Sequence, residues 1–334
     1  MSEPKLTIGI PTLNRADMLH RAIDSCLRGT IPCRIIVADQ GHTDEVALVM
    51  QRYADHPHVE HIQTEATCLW ENWEAAARAC DTPYFAWCQD DDVVGRGYAK
   101  RIVTAFDAWP DALHWQARCH NGKDEHMGAW FSGNGPWVPM ELLDGRPACW
   151  HGQVIVPTMY FTSWSLSPGV AFRCGKEFND ALEQMPTNCD LFAERLILAF
   201  LGAKGRFVAD PVIAGYWIHH GGNESYKQHA SQAEQEKISV AILDDIMDTC
   251  EWQDLFAQWC AIMPVANVVQ WSQYIEKLDT RHKEELVTIM QGSLQGRIEV
   301  IHQAPAPASA DPDGELLWTG EGCDTSLVGC GNAG

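Results

Sequence analysis

Short apolar runs and helical patterns alternate through the first 110 residues, and this alternation constrains the fold more than any other feature. Leu6-Thr7-Ile8-Gly9-Ile10 reads as a strand, broken by Pro11-Thr12-Leu13-Asn14. Apolar residues at Met18, Leu19, Ala22, Ile23, Cys26 and Leu27 then recur at helical spacing. Arg34 to Ala38 is a second strand, stopped by Asp39-Gln40-Gly41, and Thr43 ahead of Asp44 and Glu45 predicts a capped helix start. A weaker strand at 59–63, a helix at 70–79, a strand at 84–88 and a helix at 97–109 continue the series. This order implies right-handed crossovers and a mainly parallel α/β sheet flanked by helices. Ligands bind such sheets at the carboxyl ends of the strands. Those ends read Pro-Thr-Leu-Asn, Asp-Gln-Gly-His and Gln-Asp-Asp-Asp, so three polar segments are expected to face one crevice.

The last of these ends carries three adjacent aspartates. Alternation along a strand would put Asp90 and Asp92 on one side, with Asp91 opposite or at the turn. Converging carboxylates repel unless something neutralises them. A hard divalent cation, magnesium or manganese, is held by one or two carboxylates together with substrate phosphates. The plainer reading is a solvated acidic turn.

Beyond residue 110 the texture changes. Trp115, Trp130, Trp137, Trp150 and Trp164 are interspersed with Gly and Pro, which predicts loops and irregular strands, each Trp serving first as a packing anchor. A turn at 167–169, an amphipathic helix at 188–201 and closing strands at 206–210 and 212–218 follow. From 225 to about 303 the pattern is helical with breaks near Pro264 and Gly292, and the Ala/Pro/Gly-rich remainder reads as a disordered tail. The expected organisation is therefore residues 1–226, with halves 1–109 and 110–226, a helical region 227–303 and a tail 304–334.

Composition sets limits on function. A formal charge of −21 disfavours non-specific binding to phosphate backbones, and Arg96, Lys100 and Arg101 read first as a solvated helix face. The 13 cysteines include no Cys-x-x-Cys pair, and Cys26, Cys80, Cys88 and Cys189 fall in apolar or helical patterns. They read as small buried hydrophobes in a reducing compartment. With no signal-like N-terminus and no long uncharged apolar stretch, a cytoplasmic protein without a membrane span is expected.

Four segments occur in order: LTIGIPTLNRADMLHRAIDSCL, RIIVADQGHTDEV, NWEAAARACDTPYFAWCQDDDVV and NCDLFAERLILAFLGAKGRFVADPVIAGYWIHHGGNES. Together they resemble the family 2 glycosyltransferases, of GT-A fold, over roughly residues 5–226. The resemblance implies a nucleotide-diphosphate sugar donor, commonly UDP-linked, and Mn2+ or Mg2+. It implies that Pro11, Thr12, Asn14 and Arg15 approach the nucleoside, and that Asp39 contacts the base. Gln40 stands where the family usually has a second acid. Asp90, Asp91 and Asp92 match the Asp-x-Asp region, with Asp90 contacting ribose or metal, Asp91 on the donor side and Asp92 the direct metal ligand, for which Asp91 is the rival, and His219 or His220 matches a histidine closing over the diphosphate or ligating the metal. Gly221-Gly222 would suit a mobile lid there.

Asp190 matches the acid that takes the proton of the acceptor hydroxyl, although Cys189 precedes it where the family has Glu. A carboxylate is ionised at neutral pH and can serve as that base. Attack opposite the leaving group would invert the anomeric centre. The acceptor hydroxyl belongs to a glycan, a lipid-linked glycan, a protein or a modified DNA base, with the Trp-rich region lining its pocket. The helices after 225 are candidates for acceptor binding or a homo-oligomer interface. Two other readings compete: an inactive nucleotide- or glycan-binding module of the same fold, and a nucleotidyltransferase. The second lacks a Gly-rich phosphate loop at Ile10 to Asn14.

Overall fold

The computed structural model describes residues 3–123, 126–131, 146–160, 167–187, 189–190, 192–220, 232–263 and 265–294, with the backbone alone at 120–131, 219, 232, 265 and 266. Trp137, Trp164, the Gly221-Gly222 segment and the tail lie outside them, as do the side chains of Trp130 and His219.

The first half follows the alternation. Strands β1 (Leu6–Thr12), β2 (Arg34–Asp39), β3 (Val59–Gln63) and β4 (Tyr84–Trp87) alternate with helices α1 (Ala16–Leu27), α2 (Asp44–Gln51) and α3 (Leu69–Arg78). A short β5 (Val93–Val94) and α4 (Tyr98–Ala108) follow. Thr43 caps α2 as expected, its hydroxyl accepting the Val46 N–H at 3.4 Å.

The second half holds β6 (Ala112–Lys123), β7 (His126–Phe131), β8 (Ala148–His151), β9 (Val170–Arg173), α5 (Lys176–Gln184), α6 (Ala193–Lys204) and β10 (Arg206–His219). Helices α7 (Gln232–Met247), α8 (Gln253–Ile262), α9 (Val265–Ile275) and α10 (Lys283–Leu294) complete the described chain.

Ten strands form one sheet along the path β3-β2-β1-β4-β9-β6-β10-β5, with β7 on β6 and β8 on β10. β3, β2, β1 and β4 are mutually parallel, whereas β9 runs antiparallel to both β4 and β6. The sheet is therefore mixed, parallel on its N-terminal side and open at its ends.

Three local expectations change. Region 110–165 contains a 12-residue strand, β6, rather than only irregular pieces. The two closing strands are one, β10, bulged between Asp210 and Ile213. Gly292 does not break the chain but lies inside α10, where a Cβ would meet nothing within 4 Å.

Strand β4 shows how the layers form. Phe85 and Trp87 point to one side, into a core with Trp70, Trp73, Phe172 and Phe178, while Tyr84, Ala86 and Cys88 point to the other, into a core with Ile8, Ile10, Phe106 and Trp115. A strand buried on both faces reads as a continuous apolar run, which is why it was visible in the sequence. Each such aromatic contributes roughly 2–3 kcal/mol of burial. Gly9 lets α3 sit close on β1, since a Cβ there would lie 2.8 Å from Phe85 Cζ and 2.9 Å from Ala76 Cβ. The first core also takes in Trp252, Phe256, Trp259 and Met290, so the C-terminal helices pack against the same sheet face as α3.

Candidate active site

The carboxyl ends of β1 and β4 meet in a cluster of charges. Strand β4 stops at Trp87 and the chain turns, with Asp92 N–H donating to Gln89 O at 3.1 Å. The period-two geometry therefore ends before the aspartates, and the expected pairing of Asp90 with Asp92 gives way to Asp90 with Asp91. Arg15 Nη1 bridges them, 3.1 Å from Asp90 Oδ1 and 2.8 Å from Asp91 Oδ2. Thr12 Oγ1 donates to Asp90 Oδ2 at 2.7 Å. His220 Nε2 lies 2.9 Å from Asp91 Oδ2. Asp92 turns to β10 instead, where its Oδ1 accepts the Ile218 N–H at 3.0 Å and its buried Oδ2 has no hydrogen-bond partner among the described residues.

The electrostatics follow from burial. Asp90 is pushed up to about 6 by burial and by Asp91, against the pull of Arg15 and Thr12. Asp92 is pushed well above the usual carboxylate range by burial, then by Asp91. Glu194, on the first turn of α6, is raised from 4.5 to about 7 by burial, although its Oε1 accepts the Ser167 N–H at 2.7 Å. A carboxyl raised in the fold binds its proton more tightly there than in the unfolded chain. Its contribution to stability is full below about pH 4.5 and is lost as pH rises through about 7. Glu194 is part-exposed, so screening reduces that contribution to about 2 kcal/mol. Glu194→Gln is neutral and keeps an acceptor for Ser167 N–H, so it should flatten this fall. Urea unfolding at pH 5 and pH 8 measures it, and an unchanged pH slope in the variant would exclude Glu194 as the source.

The segment after β2 forms a second part of the crevice. Asp39 is 1% exposed. Its Oδ1 accepts the N–H groups of Gly41 and His42 at 3.0 and 3.1 Å, and its Oδ2 lies 3.2 Å from His61 Nε2. Gln40 N–H donates to Thr12 O at 3.1 Å, which ties this turn to the Pro11-Thr12 end of β1. Asn14 and His42 have φ of 57° and 55°, and a Cβ on Gly41 would sit 1.9 Å from Asn14 Oδ1. Glycine is therefore needed where the two loops touch.

Asp190 precedes α6 but serves another helix. Its Oδ1 accepts the Trp70 N–H at 2.9 Å, on the first turn of α3. Two residues on, buried Asn72 donates to Thr12 O at 3.3 Å and to Ala38 O at 3.1 Å, and its Oδ1 accepts Thr64 Oγ1 at 2.8 Å. One helix thus ties Asp190 to the ends of β1 and β2. Asn72, His61 and Glu194 carry no local sequence signal, because each acts through partners distant in the chain. Arg101, read from sequence as a solvated face, pairs with buried Asp210 at 2.7 Å.

The family model described as Glycosyl transferase family 2 matches residues 7–143, which contain every donor-side residue above except His220. The enzyme class of that family is glycosyl transfer. No curated protein sequence matches the chain. Solved structures show the fold: S. aureus TarS 1–349 is 13% identical with a TM-score of 0.57, the alignment covering 87% of this chain and 80% of that one. The same TarS piece in complex with UDP-GlcNAc is 13% identical with a TM-score of 0.57, covering 91% and 98%. A longer S. aureus TarS is 14% identical with a TM-score of 0.58, covering 88% and 53%. These are GT-A structures, and the open mixed sheet of this chain is of that kind. Among the described residues no helix is long and apolar enough to cross a membrane.

Proposed function

We propose that the protein transfers a sugar from a UDP-sugar to a hydroxyl acceptor, with inversion, using Asp190 as base and a divalent cation at the acidic turn. The observation that carries this reading is the convergence of Thr12, Arg15, Asp90, Asp91 and His220 at the carboxyl ends of β1 and β4 and the end of β10. The TarS complex with UDP-GlcNAc supports the choice of donor. Asp39, fixed by two backbone N–H groups and His61, offers a carboxylate edge to an imide N–H of the base.

Among the described residues no three His, Cys, Asp or Glu side chains form a closed metal cluster. The donor set suits a cation that takes most of its ligands from phosphate and water: Asp91 and His220 face one another, and the orphaned Asp92 Oδ2 is a third oxygen. Asp91 and His220 would hold Mn2+ or Mg2+, with Asp92 and Asp90 beside them. Bound there, the cation would offset negative charge developing on the leaving diphosphate. Arg15 holds Asp90 and Asp91 together and adds a fixed positive charge beside the phosphates. Asp190 takes the acceptor proton as the hydroxyl attacks the anomeric carbon.

Thermal stabilisation by UDP, GDP, CDP and dTDP, each with and without manganese, tests the reading. Manganese-dependent stabilisation by UDP is expected. Binding without any release of nucleotide diphosphate from a UDP-sugar would instead favour a binding module that kept the fold. Asp91→Asn removes the charge shared by Arg15 and His220, and should weaken manganese-dependent UDP binding by about tenfold or more. Titration calorimetry reads this directly, and an unchanged affinity would move the cation away from Asp91.

A further inference from the structure

On the far side of the sheet from this crevice, Cys80 and Cys174 face each other with their Sγ atoms 3.5 Å apart. Cys80 lies between the end of α3 and the start of β4, and Cys174 follows the last residue of β9. The ladder between β4 and β9 holds them in register, since Cys174 N–H donates to Pro83 O at 2.9 Å beyond the Tyr84–Arg173 pair. Both thiols are half-buried rather than sealed in the core. The pocket around Cys80 is polar: Thr82 Oγ1 is 3.5 Å from its sulfur and 2.8 Å from Thr7 Oγ1. The catalytic reading uses none of these groups.

We infer that Cys80 and Cys174 form a reactive dithiol, an oxidation site that closes to an intramolecular disulfide in the presence of a peroxide. The separation is about 1.5 Å longer than a bonded S–S pair, within reach of side-chain rotation. The roles of the two sulfurs differ. Cys80 is drawn down to about 6 by its hydrogen bond with Cys174, with Thr82 and Thr7 helping against burial, while the same bond and burial push Cys174 far up. Cys80 is thus the thiolate and nucleophile, and Cys174 is the resolving thiol.

The chemistry balances with the peroxide as two-electron oxidant. The Cys80 thiolate attacks one peroxide oxygen, the O–O bond breaks, and Cys80 becomes a sulfenic acid as the other oxygen leaves as water after taking a proton. Cys174 then attacks the Cys80 sulfur. The S–OH bond breaks, the proton of Cys174 goes to the departing hydroxide, and a second water forms. The bond joins the α3–β4 connection to the end of β9, so it fastens the helix that carries Asn72 and Trp70 to the middle of the sheet.

The test uses the full chain, reduced and then treated with one equivalent of hydrogen peroxide. After quenching with an alkylating agent, intact mass should show two fewer alkyl groups than the reduced protein takes up, and peptide mapping should place the bond at Cys80–Cys174 among the 13 cysteines. The reductant-reversible product should melt higher than the reduced protein. Cys174→Ala removes the hydrogen-bond donor with little change in volume, and should slow alkylation of Cys80 at pH 7 about fivefold. A first disulfide elsewhere, or a Cys80 that alkylates at the same rate with and without Cys174, would overturn the inference. Urea unfolding confirms that Cys174→Ala is folded, so lost reactivity is not mistaken for lost structure.

Discussion

Asp190→Asn should lower sugar transfer by at least ~10²-fold while leaving manganese-dependent UDP binding near that of the parent. The substitution preserves the contact to α3. Asp190 Oδ1 accepts the Trp70 N–H at 2.9 Å, and an Asn oxygen can make the same bond. The start of α3 should stay in place, and with it Asn72 and its bonds to Thr12 O and Ala38 O. What is lost is the ability to take a proton. If Asp190 is the base, the loss falls on kcat, with little change in KM for the donor. A second variant separates the roles: Asp190→Ala also removes the bond to Trp70, so it should lose stability as well as rate. Transfer by Asp190→Asn at the parent rate would end the base assignment and leave Asp190 as a residue that only anchors α3.

The sequence was most legible where function depends on neighbours along the chain. The β1, β2 and β4 runs are apolar because their strands are buried, and their polar ends lie together because parallel strands end at one edge. That placed Thr12, Asp39 and Asp90 in one crevice before any geometry was known. The detailed pairing was not legible. Alternation coupled Asp90 to Asp92, but the chain turns after Trp87 and Arg15 selects Asp90 and Asp91. Strand β6 escaped detection for another reason. His114, Gln116 and Arg118 alternate with Trp115, Ala117 and Cys119, but both faces are buried at His114 to Ala117, and the surrounding Trp, Gly and Pro made the region read as irregular. Cys80 reads from the sequence as a small buried hydrophobe, and nothing there singles out Cys174. Their contact spans 94 positions, and only the register of β4 against β9 creates it.

The same long-range logic gives the largest expected effect on stability, at Asp244 on α7. This carboxylate is 4% exposed. Its Oδ1 accepts the hydroxyls of Tyr160 and Thr280, and its Oδ2 accepts the Arg281 N–H at 3.2 Å. Tyr160 belongs to the short 3-10 turn at 156–160 beneath α6, whereas Thr280 and Arg281 lie between α9 and α10. One side chain thus fixes three separate pieces of the C-terminal half. Asp244→Ala strands two buried hydroxyls and one backbone N–H. Each costs about 1–3 kcal/mol when unpaired, and shared geometry makes the sum less than additive. The expected loss is on the order of 4 kcal/mol, or roughly 8 °C or more in Tm. Asp244→Asn discriminates the cause. Its oxygen can still serve Tyr160 and Thr280, but its NH2 would face the Arg281 N–H, so it should lose less than the Ala variant and more than the parent. Calorimetry reads both. A single shifted transition for Asp244→Ala would mean that α7 to α10 unfold with the sheet, as their shared core with Trp70 and Phe172 suggests. A split transition, with the donor site still binding UDP, would mean that the C-terminal helices detach alone and that Asp244 holds only their docking.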